Sequence, residues 1–207
     1  MDEETGRLFM RDEEITAVYY RAGYSPADYT SADDWEGRII LEKSRAIKCP
    51  SIDLQLVTCK TFQHLCGNGE FLSKYAGEKE ASKIGHLFKG LWSLADKDEE
   101  TLKAVERAIT DPARFIIKPE REGGGNNIYG EHVKELLLGG KSLSQYLLME
   151  RIFPPEVDSL MFREGQVYEK KAVGELGIYG AVICDTSVQD GLTHNETIGC
   201  LLRTKDI

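Results

Sequence analysis

No run of apolar residues in this 207-residue chain approaches the ~20 needed to cross a bilayer, so no membrane partner is expected. The N-terminal stretch Met1-Asp2-Glu3-Glu4-Thr5 is acidic and has no apolar core, so no secretory signal is expected either. Basic charge is short: 26 Lys and Arg stand against 35 Asp and Glu, a formal net charge of -9. A nucleic-acid surface needs a basic footprint, so no nucleic-acid partner is expected, although a local basic pocket for a small anion remains compatible. Cysteine pairing is missing too. Cys49, Cys59, Cys66, Cys184 and Cys200 are odd in number and form no C-x-x-C pair. Zinc sites and secreted disulfide frameworks both want pairs, so the cysteines read as thiols in a reducing, cytoplasmic setting. His64, His86, His132 and His194 are scattered and read as ordinary surface or half-buried side chains. There is no G-x-S-x-G and no H-E-x-x-H, so a covalent protein nucleophile is not indicated. Chemistry by positioning and electrostatics, as in phosphoryl transfer, needs none.

What the chain does have is a crowded glycine loop. Lys118-Pro119-Glu120-Arg121-Glu122-Gly123-Gly124-Gly125-Asn126-Asn127-Ile128-Tyr129-Gly130 follows an apolar segment, Arg114 to Lys118, that reads as a strand. Three glycines in a row are entropically costly to order, and they let successive backbone N–H groups converge on an anion. Lys118 and Arg121 supply positive charge. Glu122 beside a phosphate would be repulsive unless a cation such as Mg²⁺ lay between them. The loop matches neither G-x-x-x-x-G-K-[ST] nor G-x-G-x-x-G. A phosphate cradle and a flexible surface turn are the two readings.

Other segments carry weaker signals. Met149-Glu150-Arg151-Ile152 ends a strand with an apolar residue among charges, either an adenine edge or an ordinary strand end. Glu175 sits in the otherwise apolar Glu175-Leu176-Gly177-Ile178-Tyr179-Gly180, where an acid wants a partner, a metal or a ligand hydroxyl. Arg203 and Lys205 share one face of an extended segment and suit a polyanion or a solvated tail. Arg21-Ala22-Gly23-Tyr24 has the look of a carboxylate-binding turn, with arginine as the fork.

The expected elements are mixed, which suggests α/β or α+β layers. Leu8 to Met10 and Ile15 to Tyr20 read as a hairpin. Ser31 should cap a helix carrying Trp35, Ile39 and Glu42 along one side. Ser51 should cap another running to about Leu65. Leu72 to Lys83 reads as loop and helix edge. Asp98 to Thr110 is an amphipathic helix with Leu102, Val105 and Ile109 as its apolar stripe, stopped by Asp111-Pro112. Glu131 to Leu138 is a short helix. Tyr146 to Ile152, Val167 to Val173 and Glu175 to Cys184 are strands. No internal repeat, low-complexity tract or Pro/Gly/Ser-rich linker is present.

Together these segments resemble a known family, the eukaryotic glutathione synthetases, which are ATP-grasp ligases. The resemblance rests on the loop Lys118-Pro119-x-Arg121-Glu122-Gly123-Gly124-Gly125-Asn126-Asn127-x-Tyr129. It rests equally on Val18 to Tyr24, Asp34-Trp35-Glu36, Lys48-Cys49-Pro50, Leu147-x-Met149-Glu150, Glu175 to Gly180 and Leu201 to Lys205, in the family's order. It implies an α/β, ATP-grasp-like fold of mixed α+β sheets with a glycine-rich lid. The implied reaction joins γ-glutamylcysteine to glycine, driven by ATP with Mg²⁺ through an acyl phosphate, in a cytoplasmic homodimer. Residue by residue, Lys60 and Lys118 would meet ATP phosphates, and Glu122 would bind Mg²⁺. Arg121, Gly123, Gly124, Gly125, Asn126, Asn127 and Tyr129 would form the loop over them. Met149, Glu150, Arg151 and Ile152 would line the adenine pocket, and Glu175 and Lys205 would hold the nucleotide. Arg21, Ala22, Gly23 and Tyr24 would bind the peptide, and Arg203 would bind it and act in catalysis. Residues 1–95 would belong to the substrate-binding and ATP-grasp core, 96–165 to the lid region, and 166–207 to the returning core.

Two residues depart from the family pattern. Glu120 stands where Gln is usual, and Cys59 where Ser or Thr is usual before the ATP-binding lysine. The resemblance covers about the second half of the family sequence and stops before its Gly/Ala-rich loop. An incomplete fold is therefore expected, and 207 residues alone are not expected to be a competent ligase. The alternative is a non-catalytic relic or fragment retaining nucleotide or partner binding.

Overall fold

The computed structural model describes residues 1–120, 124–185, 187–188 and 191–206. The chain divides into two compact units, Met1–Arg151 and Ile152–Ile207.

The first unit begins with a hairpin of β1 (Leu8–Met10) and β2 (Glu13–Ile15), turned at Arg11. The expected second arm splits. Only Ile15 stays in the hairpin, and β3 (Ala17–Tyr19) leaves to pair in parallel with β4 (Ile47–Cys49). Between them lies α1 (Ala32–Lys43). Its N-terminus is a capping box: the Ser31 hydroxyl accepts from the Asp34 N–H at 3.2 Å and the Asp34 carboxylate accepts from the Ser31 N–H at 2.9 Å. Its apolar residues do not form the buried face. Trp35, Ile39 and Ile40 are exposed, and the buried side chain is Arg38. Ser51 caps the next segment as expected, but that segment is two short helices, α2 (Ile52–Leu56) and α3 (Lys60–Leu65).

The stretch read as loop and helix edge is a helix pair, α4 (Gly69–Ala76) and α5 (Glu78–Ile84). Asn68 caps α4, and Gly77 breaks the run at φ +79°. Polar composition hid these helices because only Leu72 and Ala81 are buried.

The core of this unit is a four-stranded antiparallel sheet in the order β5 (Leu91–Ser93), β8 (Tyr146–Glu150), β6 (Phe115–Pro119), β7 (Ile128–Tyr129). Two helices, α6 (Glu99–Thr110) and α7 (Glu131–Leu138), pack on it. Consecutive buried residues at 115–117 and 147–148 show that both faces of β6 and β8 are covered. In α6 the buried stripe is Thr101, Ala104 and Ala108, whereas Leu102 is exposed. Of the expected apolar stripe, Val105 packs partly buried against the core, beside the fully buried face. Small residues on the helix face the large Trp92, Phe115, Ile117 and Leu148, which lets the backbone approach the sheet. The last strand of this unit ends at Glu150 rather than Ile152, although the Arg151 N–H still donates to the Arg114 carbonyl at 2.7 Å, one step further along the β6–β8 register.

The second unit is a three-stranded antiparallel sheet, β9 (Glu156–Arg163), β10 (Gln166–Cys184) and β11 (Leu192–Asp206). The two-residue turn Glu164-Gly165, both at positive φ, has the twist that suits a tight hairpin. β10 is one long strand rather than two. Gly174, at the expected break, stays paired with Thr204, and the irregularities fall later, at Tyr179/Gly180 and Ile183/Cys184.

Candidate functional site

Residue 118 is the end of a buried path. β6 enters the core through Phe115, Ile116 and Ile117, then carries Lys118 out half-buried at its C-terminal end. Lys60, the first residue of α3, is close enough to be felt. The Lys118 ammonium is held below the ordinary lysine pKa, first by burial and then by the charge of Lys60. Two cations brought together with little water are unfavourable by themselves and become favourable around a polyanion. No designated helix signal in the sequence announces this pairing. Strand β6 and helix α3 create it from 58 residues apart.

A cavity of about 1250 Å³ opens beside Lys60. Lys60 and Cys59 line it with Glu120 and Asn126, and across it stand Arg21, Gly23 and Tyr24. Residues named above for the phosphates and for the peptide therefore share one cavity. Ala22 is exposed in the same turn.

The turn is fixed from behind. The Arg38 guanidinium donates to Glu42 Oε1 at 2.9 Å, to the Tyr29 hydroxyl at 2.8 Å and to Gln55 Oε1 at 3.0 Å, and lies 3.9 Å from the centre of the Tyr20 ring. Two of these acceptors, Tyr29 and Gln55, pass the bond forward. The Tyr29 hydroxyl donates to the Gly23 carbonyl at 3.3 Å, and Gln55 Nε2 donates to the Gly23 and Tyr24 carbonyls at 3.4 Å. Gly23 adopts φ +80°, and a Cβ there would lie 2.5 Å from the Tyr29 hydroxyl oxygen, so only glycine fits. Tyr20 has its hydroxyl buried without a hydrogen-bond partner among the described residues. Burial, with the Glu42 carboxylate nearby, pushes its pKa up to about 12. Sequence reading missed Arg38, Tyr29 and Gln55. The available signal was Arg38 with Glu42 at i+4 on a capped helix.

The remaining expected residues fall as follows. Arg121, Glu122 and Gly123 lie outside the described residues. Gly124–Asn126 form a 3-10 turn, and Asn127 Nδ2 donates to the Tyr129 hydroxyl at 3.0 Å. Met149 sits in the sheet between Leu91 and Ile116, and Glu150 pairs with Arg107 at 2.5 Å. Arg151 and Ile152 lie beyond the strand end. In the second unit, Glu175 lies opposite Arg203 in the β10–β11 ladder. Its carboxylate binds the Arg203 guanidinium and, at 2.5 Å, the Lys205 ammonium. Hydrogen bonds from Lys205 first and Arg203 next hold the Glu175 pKa below the ordinary carboxylate range. The acid whose partner was in question thus has two. Among the described residues, no group of three or more His, Cys, Asp or Glu could hold a metal ion.

Residues 9–207 match the family model for the eukaryotic glutathione synthase ATP binding domain. The chain belongs to this family. Glutathione synthetases named in curated relatives support the same assignment. The chloroplastic enzyme of Arabidopsis thaliana is 39% identical over 209 residues, covering 98% of this chain and 37% of that protein. The Xenopus laevis enzyme is 39% identical over 213 residues, covering 100% of this chain and 44% of that protein. The Homo sapiens enzyme is 39% identical over 211 residues, with 99% and 44% covered. The chain therefore spans about two fifths of the length of these relatives. Among solved structures, an apo-form glutathione synthetase-like effector from Globodera pallida superposes with a TM-score of 0.70 at 19% identity. It covers 99% of this chain and 42% of that one, a likeness of fold. No helix among the described residues is long and apolar enough to cross a membrane.

Proposed function

We propose that this chain supplies the nucleotide grip of an ATP- and Mg²⁺-dependent ligase that joins γ-glutamylcysteine to glycine. The observation that carries the reading is Lys60, which lines one cavity with Arg21, Gly23, Tyr24, Glu120 and Asn126 and whose charge is felt by the half-buried Lys118. When bound, ATP supplies the phosphoryl group that activates the γ-glutamylcysteine carboxylate as an acyl phosphate. The chain's own part is positional. Lys60 and Lys118 neutralise phosphate oxygens, Asn126 and the glycine stretch close beside them, and the turn behind Arg21 orients the peptide. No protein nucleophile is required.

The donor set fits a polyanionic nucleotide. Mg²⁺ has no ready-made cluster among the described residues. It typically keeps waters and phosphate oxygens as ligands and needs only one or two carboxylates, for which Glu122 is the candidate. In the second unit, Glu175 and Lys205 would hold the nucleotide, and Arg203 would bind the peptide and act in catalysis. On this reading the fold is ATP-grasp, with core 1–95, lid region 96–165 and returning core 166–207. The adenine edge is Met149 to Ile152, and the protein is a homodimer. On the same reading the five cysteines are thiols in a reducing compartment such as the cytoplasm.

The test is product formation. Purified chain with Mg·ATP, γ-glutamylcysteine and glycine is assayed for phosphate release and for glutathione, beside the Lys118→Ala variant. Nucleotide bound by the chain and lost in the variant supports the grip. Glutathione formation that depends on Lys118 extends the proposal to the full reaction. Nucleotide handling unchanged by Lys118→Ala removes the observation on which the proposal stands.

A further inference from the structure

We propose that Glu120 is a positioning residue of the nucleotide site: its carboxylate caps α3 and thereby holds Lys60 in place against Lys118. The inference rests on the nucleotide reading above. It begins with a defect. Helix α3 is six residues long, too short to stand without tertiary support. Its N-cap, Cys59, has the extended backbone of a cap, φ -60° and ψ 144°, yet its side chain makes no cap hydrogen bond. Sulfur is a weak acceptor, and the first-turn N–H groups need an oxygen.

The oxygen comes from elsewhere. Glu120 Oε1 accepts from the Thr61 N–H at 3.0 Å, across 59 residues of sequence. Thr61 is the second residue of α3 and follows Lys60 directly. The base of the Glu120 side chain is fixed in turn, because its own N–H donates to the Gln145 carbonyl at 3.1 Å and extends the β6–β8 ladder. Glu120 follows the end of β6 directly, two residues on from Lys118. One carboxylate therefore ties the strand that carries one lysine to the helix that carries the other. The far end of α3 is held separately, with His64 Nδ1 3.0 Å from the Leu91 carbonyl oxygen and Nε2 3.3 Å from Asp96. A carboxylate lining an anion cavity would ordinarily repel the ligand. Commitment to the positive end of a helix offsets that charge locally. Cys59 and Glu120 are thus one arrangement: the side chain that should cap does not, and the neighbour that should repel does the capping.

The experiment compares Mg·ATP dissociation constants of the wild-type chain, Glu120→Ala, Glu120→Gln, Lys118→Ala and the double variant Cys59→Ser/Glu120→Ala, with hydrogen exchange of the Thr61 amide. Loss of a cap corresponds to about fivefold weaker binding in Glu120→Ala, with faster Thr61 exchange. Glu120→Gln keeps an acceptor oxygen and stays within about twofold of wild type. Serine at 59 can itself reach the first-turn N–H groups, so the double variant recovers to within about twofold. A global loss of structure would not be repaired by that distant pairing. Weaker binding in Lys118→Ala with unchanged binding in Glu120→Ala overturns the positioning role and leaves the nucleotide reading standing. Unchanged binding in both overturns the two together. Failure of Cys59→Ser to rescue Glu120→Ala overturns the capping argument.

Discussion

Replacing Arg38 with methionine tests whether the peptide-side wall of the cavity is held by a buried charge. Arg38 is 8% exposed, and its partner Glu42 is 21% exposed at the side chain. Removing one member of a buried ion pair costs on the order of 3–5 kcal/mol, because the other charge stays behind without its partner. Glu42 can regain some water, which places Arg38→Met at the lower end, about 3 kcal/mol. For a unit of roughly this size, that is a fall in Tm of roughly 6–12 °C. Methionine keeps the aliphatic volume, so the loss reports the charge and its three hydrogen bonds rather than a cavity. A companion variant sharpens the argument. Arg38→Met with Glu42→Leu removes both charges and should recover part of the loss, as apolar replacement of buried pairs does. Denaturant unfolding and thermal melts of the three proteins give the values. If the proposed function holds, the double variant should remain impaired in γ-glutamylcysteine binding, because Tyr29 and Gln55 lose the donor that aims them at the Gly23 and Tyr24 carbonyls. Arg38→Met within about 1 kcal/mol of wild type, or a double variant less stable than the single, refutes the reasoning.

Three further outcomes follow from other parts of the molecule. Gly23→Ala should cost roughly 2 kcal/mol or more, since it combines a positive φ with a Cβ 2.5 Å from an oxygen already fixed by Arg38; a melt matching wild type contradicts this. Glu175 titrates below its ordinary 4.5, so the stability contributed by its bonds to Lys205 and Arg203 is fully present above pH 4.5 and is lost as pH falls through the lower folded value. A carboxyl-carbon NMR titration should show that lower midpoint, and a midpoint at or above 4.5 opposes the pairing. Lys118 has its pKa lowered from 10.5, and a bound polyanion would raise it again. Mg·ATP affinity should therefore be full below the free-site value and decline as pH rises through it, short of 10.5; an affinity flat across that range denies Lys118 its role.

What the sequence showed and what it hid divide along physical lines. Caps were legible because Ser31 and Ser51 announce helix starts by local chemistry. The strand delivering Lys118 was legible because Phe115, Ile116 and Ile117 form a short apolar run, buried on both faces. The inward face of α6 was read only in part, through Val105, because alanine and threonine carry little apolar signal, while their small size is what lets the helix approach the sheet. In α1 the misjudgement was larger: a charged residue, Arg38, takes the buried position that periodicity would give to Ile39 or Trp35. β9 and the first part of β11 went unread because alternation on a sheet with most side chains exposed leaves no clear pattern, whereas the extended segment carrying Arg203 and Lys205 was read and is the end of β11. At the site, the types of residue were visible but their partnerships were not. Glu120 looked like a stray negative charge until Thr61 was found beneath it, and Glu175 looked unsatisfied until Arg203 and Lys205 were found across the ladder.

The central claim is that Lys60 and Lys118 together grip a nucleotide. Calorimetric titration of the chain with Mg·ATP, repeated with Lys60→Ala, Lys118→Ala and the double variant, measures it most directly. Two lysines sharing one ligand should be non-additive: each single variant weakens binding by about tenfold or more, and the double variant loses less than the sum of the two free energies. Wild-type binding that is absent, or that survives in both single variants unchanged, would contradict the account.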